Sequence, residues 1–475
     1  MKNDEQKKPQ PILIKLEQSK KEKQKKIIII LIIAILLLAA AFGYYYLQTK
    51  KAAMEKAEAE KLTTKDVVKI SETTTEKTDP YAFIYETTLP TYIDKEGTVH
   101  EVTPDFDPEE NEKIEDFFGP LPEVEHEADL EHVEIKGVYI YDTDNLDSIL
   151  EEIKGTEVNA LVIDVKESYG LLYDSQLPLA KELNCVISNR DIKAITEKCH
   201  AQDIRVIARI VCFKDQTFAS TRPDLTIHNE AGTPIEFPLE SNSTWANPYN
   251  KEVWQYLIDI AEEVIQFGVD EIQFDYIRFP AGGSLDGSAA AYGDPDTLPQ
   301  KYSAINRFLQ TVAIQIQNRD KVPVGADLFS IVMTSDLDGH AIGQDWTSIG
   351  LTGINNICPM IYPSHYANAS LSVMGNGEGT DLGDNRYEAP DLEPYGVVTD
   401  AIIDGREAID QEGYAYVRPY LQAFTADYLP PGYYMEYSGA EIRKQIEAVY
   451  DSGFNEWILW NVQPTYPPGT FKAQD

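Results

Sequence analysis

From about residue 134 onward, short β-branched runs alternate with amphipathic runs of helical period, and no other feature of the chain constrains its fold so tightly. Eight strand candidates can be read in order: Lys136–Tyr141, Ala160–Lys166, Arg205–Phe213, Glu271–Phe279, Pro323–Ile331, Asn355–Tyr362, Val417–Phe424 and Glu456–Asn461. Between them lie helix candidates at Asp144–Lys154, Asn189–Gln202, Lys251–Phe267, Leu298–Asn318, Asp338–Ile349, Thr399–Gln411 and Gly439–Asp451. A hydrophobic period that switches between strand and helix in this way marks repeated βα units and a parallel sheet. Gly155, Gly268, Gly350, Gly413 and Gly453 each fall just past a helix, where glycine accepts the left-handed backbone that ends it. Eight strands with seven intervening helices predict an α/β fold, a closed (β/α)8 TIM barrel over residues 131–475. An eighth helix would come from the short, proline-rich Val462–Asp475 or be supplied elsewhere. The competing architecture is a doubly wound open sheet, but no strand candidate is followed by a GxGxxG or Walker loop.

The segment ahead of the barrel reads differently. Ile27 to Leu47 is a run of 21 residues without a charge, long enough to cross a hydrocarbon core as a helix. Lys20, Lys21, Lys23, Lys25 and Lys26 precede it, and Tyr44, Tyr45 and Tyr46 close its far end. Flanking lysines hold an N-terminus in the cytoplasm, and tyrosines suit the outer interface. The order expected is a basic cytoplasmic segment over 1–26, a single-pass transmembrane helix over 27–47, and an extracellular domain on the C-terminal side. A cleaved signal peptide is the alternative, with Ala39, Ala40 and Ala41 as a small-residue peptidase site, although the basic region and apolar run are both long for one. Residues 48–130 read as an acidic, Thr/Glu-rich linker of low hydrophobicity and little periodicity, a composition that does not offset its ordering entropy by burial.

Charge narrows the partners. The formal net charge is −38, yet residues 1–26 carry nine lysines against four acids, so the rest of the chain is more acidic still. Such a body repels phosphates, and no basic stripe follows the N-terminus, which argues against nucleic acid. Cys185, Cys199, Cys212 and Cys358 form no CxxC pair, and the seven histidines form no HExxH or HxH, so no metal and no cofactor is expected. Outside the cell a Cys185–Cys199 disulfide is permitted; buried free thiols are the plainer reading.

In a barrel of this kind the working face lies at the C-terminal ends of the strands. Polar and aromatic residues gather there: Asp164 and Lys166 on strand 2, Arg209 on strand 3, Gln273, Asp275, Tyr276 and Arg278 on strand 4. Asp327 follows on strand 5, Tyr362 on strand 6, Gln422 on strand 7, and Trp460 with Asn461 on strand 8. Adjacent strands would set Asp275 beside Asp327, and alternation would put Asp164 with Lys166, and Gln273 with Asp275, on shared faces. Acids aimed into a barrel mouth are costly unless paired or used. Two carboxyls flanked by aromatic faces suit glycoside hydrolysis, in which one protonates the departing oxygen and the other attacks or activates water. Asp275 and Asp327 are the catalytic candidates. Asp164, Lys166, Arg209, Gln273, Tyr276, Arg278, Tyr362, Gln422 and Trp460 are the substrate-binding ones. Loops over 214–247, 280–297 and 363–398 are long enough to shape a groove for a polymer. Asn229–Pro234 within the first of them reads as a hairpin turn, and His365 in the third reads as a surface residue.

Two strings carry a family resemblance: Trp245-Ala-Asn-Pro-Tyr-Asn-Lys-Glu-Val-Trp254, and Gly268-Val-Asp-Glu-Ile-Gln-Phe-Asp-Tyr-Ile-Arg-Phe-Pro280. Over roughly residues 134–463 the chain resembles the bacterial "putative glycoside hydrolase" barrel family, first catalogued as a domain of unknown function. The resemblance implies a barrel distantly similar to the α-amylase superfamily, with an Asp nucleophile on strand 4 and an acid on strand 5. Asp275 matches the first position. At the second this chain has Asp327 where Glu is usual, and the superfamily's strand-7 Asp has no counterpart, Gln422 lying nearest. The expected function is an extracellular, membrane-anchored glycosidase acting on a cell-wall or exopolysaccharide glycan. The departures leave a non-catalytic glycan-binding or scaffold protein as the alternative, and a third possibility is a metal-dependent hydrolase or deacetylase with Asp164, Asp275 and Asp327 around one cation.

Overall fold

The computed structural model describes residues 91–93, 99–101, 108–123, 130, 132–372, 374–463 and 465–474. The chain divides into units Met1–Phe83 and Ile84–Asp475, and every described residue belongs to the second. The expected transmembrane helix over 27–47 therefore lies outside the described residues. Among those described, no helix is long and apolar enough to cross a membrane.

Eight staves form the barrel: β1 Lys136–Ile140, β2 Ala160–Glu167, β3 Arg205–Val211, β4 Glu271–Asp275, β5 Val324–Phe329, β6 Asn356–Ile361, β7 in two pieces, and β8 Trp457–Trp460. The pieces of β7 are Tyr416–Val417 and Tyr420–Gln422. Each stave pairs in parallel with the next, and β8 pairs with β1 through Ile458 and Gly137, which closes the ring. All eight strand expectations correspond to a stave. Their lengths differ where local chemistry intervenes. Stave β4 stops at Asp275 instead of reaching Phe279, because Tyr276 takes a left-handed backbone with φ 51°. Stave β7 is interrupted near Pro419, which has no N–H to give a ladder.

Helices α1 Leu146–Ile153, α2 Ile192–His200, α3 Lys251–Ile265, α4 Lys301–Val312, α5 Asp336–Ile342, α6 Pro394–Asp404 and α7 Gly439–Asp451 lie between the staves. Helix α1 buries Leu146, Ile149, Leu150 and Ile153, a spacing that lines one helical face. Asn250 caps α3 by accepting from the Glu252 backbone N–H, and Ser438 with Glu441 forms a capping box on α7. Gly155, Gly268, Gly413 and Gly453 do adopt positive φ. Gly350 does not: its φ is −73°, and a Cβ there would meet the Tyr414 ring at 2.4 Å, so close packing is what requires the glycine.

No eighth helix occurs among the described residues of the tail. Bends and a turn take its place: Ala473 bridges Thr156, Tyr466 N–H donates to Glu152 Oε1 of α1 at 2.8 Å, and Arg443 of α7 reaches the Thr470 carbonyl. The linker expectation over 48–130 also needs correction. Pro108–Phe118 is a helix, and its partners are on the barrel. Phe118 is 3% exposed and stacks on Trp254 of α3 at 4.7 Å. Arg307 of α4, itself buried, donates to Glu115 Oε1 at 2.7 Å, and Gln300 N–H donates to Glu110 Oε1. An acidic segment that looks too polar to order by itself is held by the aromatic and cationic groups that the barrel presents to it.

Candidate active site

At the N-terminal ends of the staves Arg418 forms buried ion pairs with Glu271 and Glu456, and a second charged group lies toward the C-terminal ends. Ile135, Ala160, Val162, Ile207 and Ile458 pack inside with Tyr139, Cys358, Tyr362 and Tyr420. Above them the charged groups centre on Arg209. Its Nε and Nη2 donate to Asp275 Oδ2 at 3.0 and 2.5 Å, and its Nη1 donates to Asp164 Oδ1 at 2.5 Å. The same guanidinium lies 3.8 Å from Asp327 Oδ2 and 3.7 Å from Glu167 Oε1. Asp275 also accepts from the Tyr276 backbone N–H through Oδ1, a bond that the left-handed turn at Tyr276 brings into reach. Because Arg209 Nε touches both neighbourhoods, Asp275 Oδ2 and Asp327 Oδ2 lie within about 7 Å of each other.

The two candidate acids sit in unlike surroundings. Asp275 accepts two bonds from the Arg209 guanidinium at Oδ2 and one from the Tyr276 backbone N–H at Oδ1. Asp327 is 2% exposed, and its Oδ1 has no hydrogen-bond partner among the described residues. Burial and then the negative charge of Asp275 push the Asp327 carboxyl well above the usual carboxylate range. Burial, followed by the charge of Asp164, raises Glu167 to about 7. Burial works against the charge of Arg209, but Asp164 and Asp275 outweigh it and hold the guanidinium firmly protonated.

Between these groups opens a cavity of about 180 Å³, whose lining includes Arg209, Asp275, Tyr276, Arg278, Asp327, Tyr362 and Trp460. Those seven were expected at the site, and the barrel brings them together. Four others were expected there and do not line it. Asp164 is 1% exposed and fully engaged, accepting from Arg209 and from Tyr139 Oη at 2.5 Å, so it supports Arg209 from behind. Lys166 was to share a face with Asp164, but a bulge between the two shifts the register. Lys166 turns outward to a buried ion pair with Asp215 at 2.7 Å. Gln273 does point inward with Asp275, yet it lies deeper, where its Oε1 accepts from Tyr420 Oη at 2.5 Å. Gln422 donates to Asp391 Oδ1 at 2.8 Å and accepts from the Ser364 N–H, tying β7 to the loop that follows β6.

The cavity also recruits residues the sequence reading passed over: Tyr420, Phe329, Met360, Gln344 and His365. Tyr420 could have been found from its parity with Gln422. His365 is an exposed residue, as expected, but its ring meets Tyr362 edge-on at 4.9 Å on the cavity wall. The Asn229–Pro234 turn forms, with Asn229 N–H donating to the Thr233 carbonyl and a bridge between His228 and Pro234. All four cysteines are free and buried. Among the described residues no group of three or more His, Cys, Asp or Glu side chains is arranged to hold a metal ion. At the centre of the Asp164, Asp275 and Asp327 cluster stands a guanidinium, which already supplies the positive charge a cation would bring.

Comparison with known proteins adds a family. The profile of a family described as "Putative glycosyl hydrolase domain" matches residues 133–466. Among solved structures, a hypothetical protein from Ruminiclostridium thermocellum is 33% identical over 40% of this chain and 96% of its own, with a TM-score of 0.34. The PgaB (BpsB) glycoside hydrolase domain from Bordetella bronchiseptica is 12% identical over 70% of this chain and 94% of its own, with a TM-score of 0.49. The Bacillus cereus spore cortex-lytic enzyme SleL is 10% identical over 72% and 74%, with a TM-score of 0.41. No curated protein matches the chain.

Proposed function

The chain belongs to this glycosyl hydrolase domain family, and from that premise we propose that it is a membrane-anchored glycosidase that cleaves a cell-wall or exopolysaccharide glycan outside the cell. The observation that carries the chemistry is the contrast between Asp275 and Asp327: two carboxyls across one cavity, one bonded twice by Arg209 and one buried with an oxygen that has no hydrogen-bond partner among the described residues. Asp327 donates its proton to the departing glycosidic oxygen. Asp275 meets the anomeric carbon on the other side, as nucleophile or as the base for a water. Their separation of at most about 7 Å excludes the wide end of the inverting range and admits the close approach of about 5–5.5 Å used in retention. Tyr362, Tyr276 and Trp460 supply apolar faces for a sugar ring, and Arg278 is held for contact by a two-pronged pair with Glu240. The apolar run over 27–47, with lysines before it and tyrosines after it, supports the anchor and the outward orientation.

A single preparation tests both parts. Membranes from cells producing the full chain are incubated with peptidoglycan and with secreted polysaccharide, and reducing ends are counted beside membranes carrying Asp275→Asn. The expected result is release by the wild-type membranes and a loss of about a thousandfold or more in the variant. Equal release by both refutes the assignment of Asp275, and activity recovered only in the soluble fraction refutes the anchor.

A further inference from the structure

The cavity has room for one ring. Its volume of about 180 Å³ is comparable to the roughly 150 Å³ pocket that accepts a single benzene. A polymer with one unit inside must therefore leave across the rim of the barrel, and the rim where β1 and β2 end is equipped for it. Tyr141 and Tyr169, just past those two staves, are each 49% exposed. They follow neighbouring, paired staves, so both rings stand on the same stretch of rim. The backbone beneath is fixed by Arg190, whose Nη2 donates to the Tyr141 carbonyl and whose Nη1 donates to the Asp164 carbonyl, both at 3.2 Å. Glu167, two residues before Tyr169, extends from the same stave end to within 3.7 Å of Arg209, which lines the cavity. The connection is also aromatic: Tyr139, two residues before Tyr141, stacks on Trp460 at 5.9 Å, and Trp460 is part of the cavity wall. Tyr428, exposed beyond β7, has its hydroxyl engaged by Ser364 Oγ at 2.8 Å.

We propose that Tyr141 and Tyr169, together with Glu167, form a second sugar-binding subsite, for the unit of the same glycan next to the one in the cavity. Aromatic faces cover the apolar face of a pyranose, and the carboxyl of Glu167 is placed to bond its hydroxyl or amide groups. The subsite rests on the glycosidase reading, but binding and cleavage can be scored separately.

The full chain is titrated calorimetrically with chito-oligosaccharides and galacto-oligosaccharides of one, two and three units. Wild type is compared with the doubly substituted Tyr141→Ala/Tyr169→Ala and Tyr141→Phe/Tyr169→Phe proteins. For one of the two series, wild-type affinity is expected to rise about tenfold or more between one unit and three. The alanine protein is expected to lose that rise, and the phenylalanine protein, which keeps both ring faces, to retain most of it. A rise with length that survives in the alanine protein overturns the subsite, and so does a wild type that shows no rise in either series. Length-dependent binding without any product in the same samples upholds the subsite and refutes the glycosidase reading.

Discussion

Four carboxyls, Asp164, Glu167, Asp275 and Asp327, gather around the Arg209 guanidinium at the mouth of this barrel. Arg209 is bonded to Asp164 and Asp275 and only near Glu167 and Asp327. Burial raises the pKa of both more distant acids, and the carboxylate beside each adds to it while Arg209 opposes it. For Asp327 this is the condition for general-acid work. For Glu167 it has a consequence for stability. Its folded-state value of about 7 lies above the ordinary 4.5, so the folded protein binds a proton that the unfolded chain has released. Stability from this group is full below about 4.5 and is lost as pH rises through about 7. Glu167→Gln removes the titration. Its melting temperature relative to wild type is expected to climb between pH 5 and pH 8, by a few degrees for a change of about 1 kcal/mol. A difference that stays constant across that range would contradict the assignment. The acids of the site were legible in the sequence because Asp275 and Asp327 end neighbouring strands. The position of Lys166 was not, since a bulge leaves no local pattern and alternation assigns the wrong face. Gln422 was misplaced for a related reason: the carboxylate that claims it, Asp391, comes from a loop 31 residues away.

Among the elements, the staves and their helices could be read because each follows one hydrophobic period over its length. What could not be read are the parts whose order depends on a partner. The helix Pro108–Phe118 has few apolar residues, and it is ordered by what it touches: Trp254, Tyr249 and Arg307 on the barrel. Phe118 is 3% exposed and its neighbour Phe117 is 37% exposed, which gives an internal control. Phe118→Ala is expected to lower the unfolding free energy by about 3 kcal/mol, and Phe117→Ala by less than about 1 kcal/mol. Urea unfolding of the two variants is the check; equal losses would mean that the helix does not pack as described. The tail belongs to the same class. It occupies the place of an eighth helix without helical backbone, through bonds to α1 and α7 that its proline-rich sequence does not announce.

At the scale of the whole molecule, a basic N-terminal segment, an apolar run and an acidic barrel succeed one another along the chain. In the proposed arrangement the barrel is presented to a glycan outside the cell, with β1–β8 setting their C-terminal ends around one cavity. Catalysis in that arrangement turns on Asp275 and Asp327 acting together across the cavity, as a pair on adjacent staves β4 and β5. Residues that act as one unit lose activity non-additively, because removing the first leaves the second with nothing to assist. The most direct measurement is therefore kcat/KM for wild type, Asp275→Asn, Asp327→Asn and the double variant of the full chain on one glycan. Each single variant is expected to lose about a thousandfold, with the double variant within about tenfold of the singles. Losses that multiply, or a wild-type rate in either single variant, would contradict a catalytic pair at these two positions.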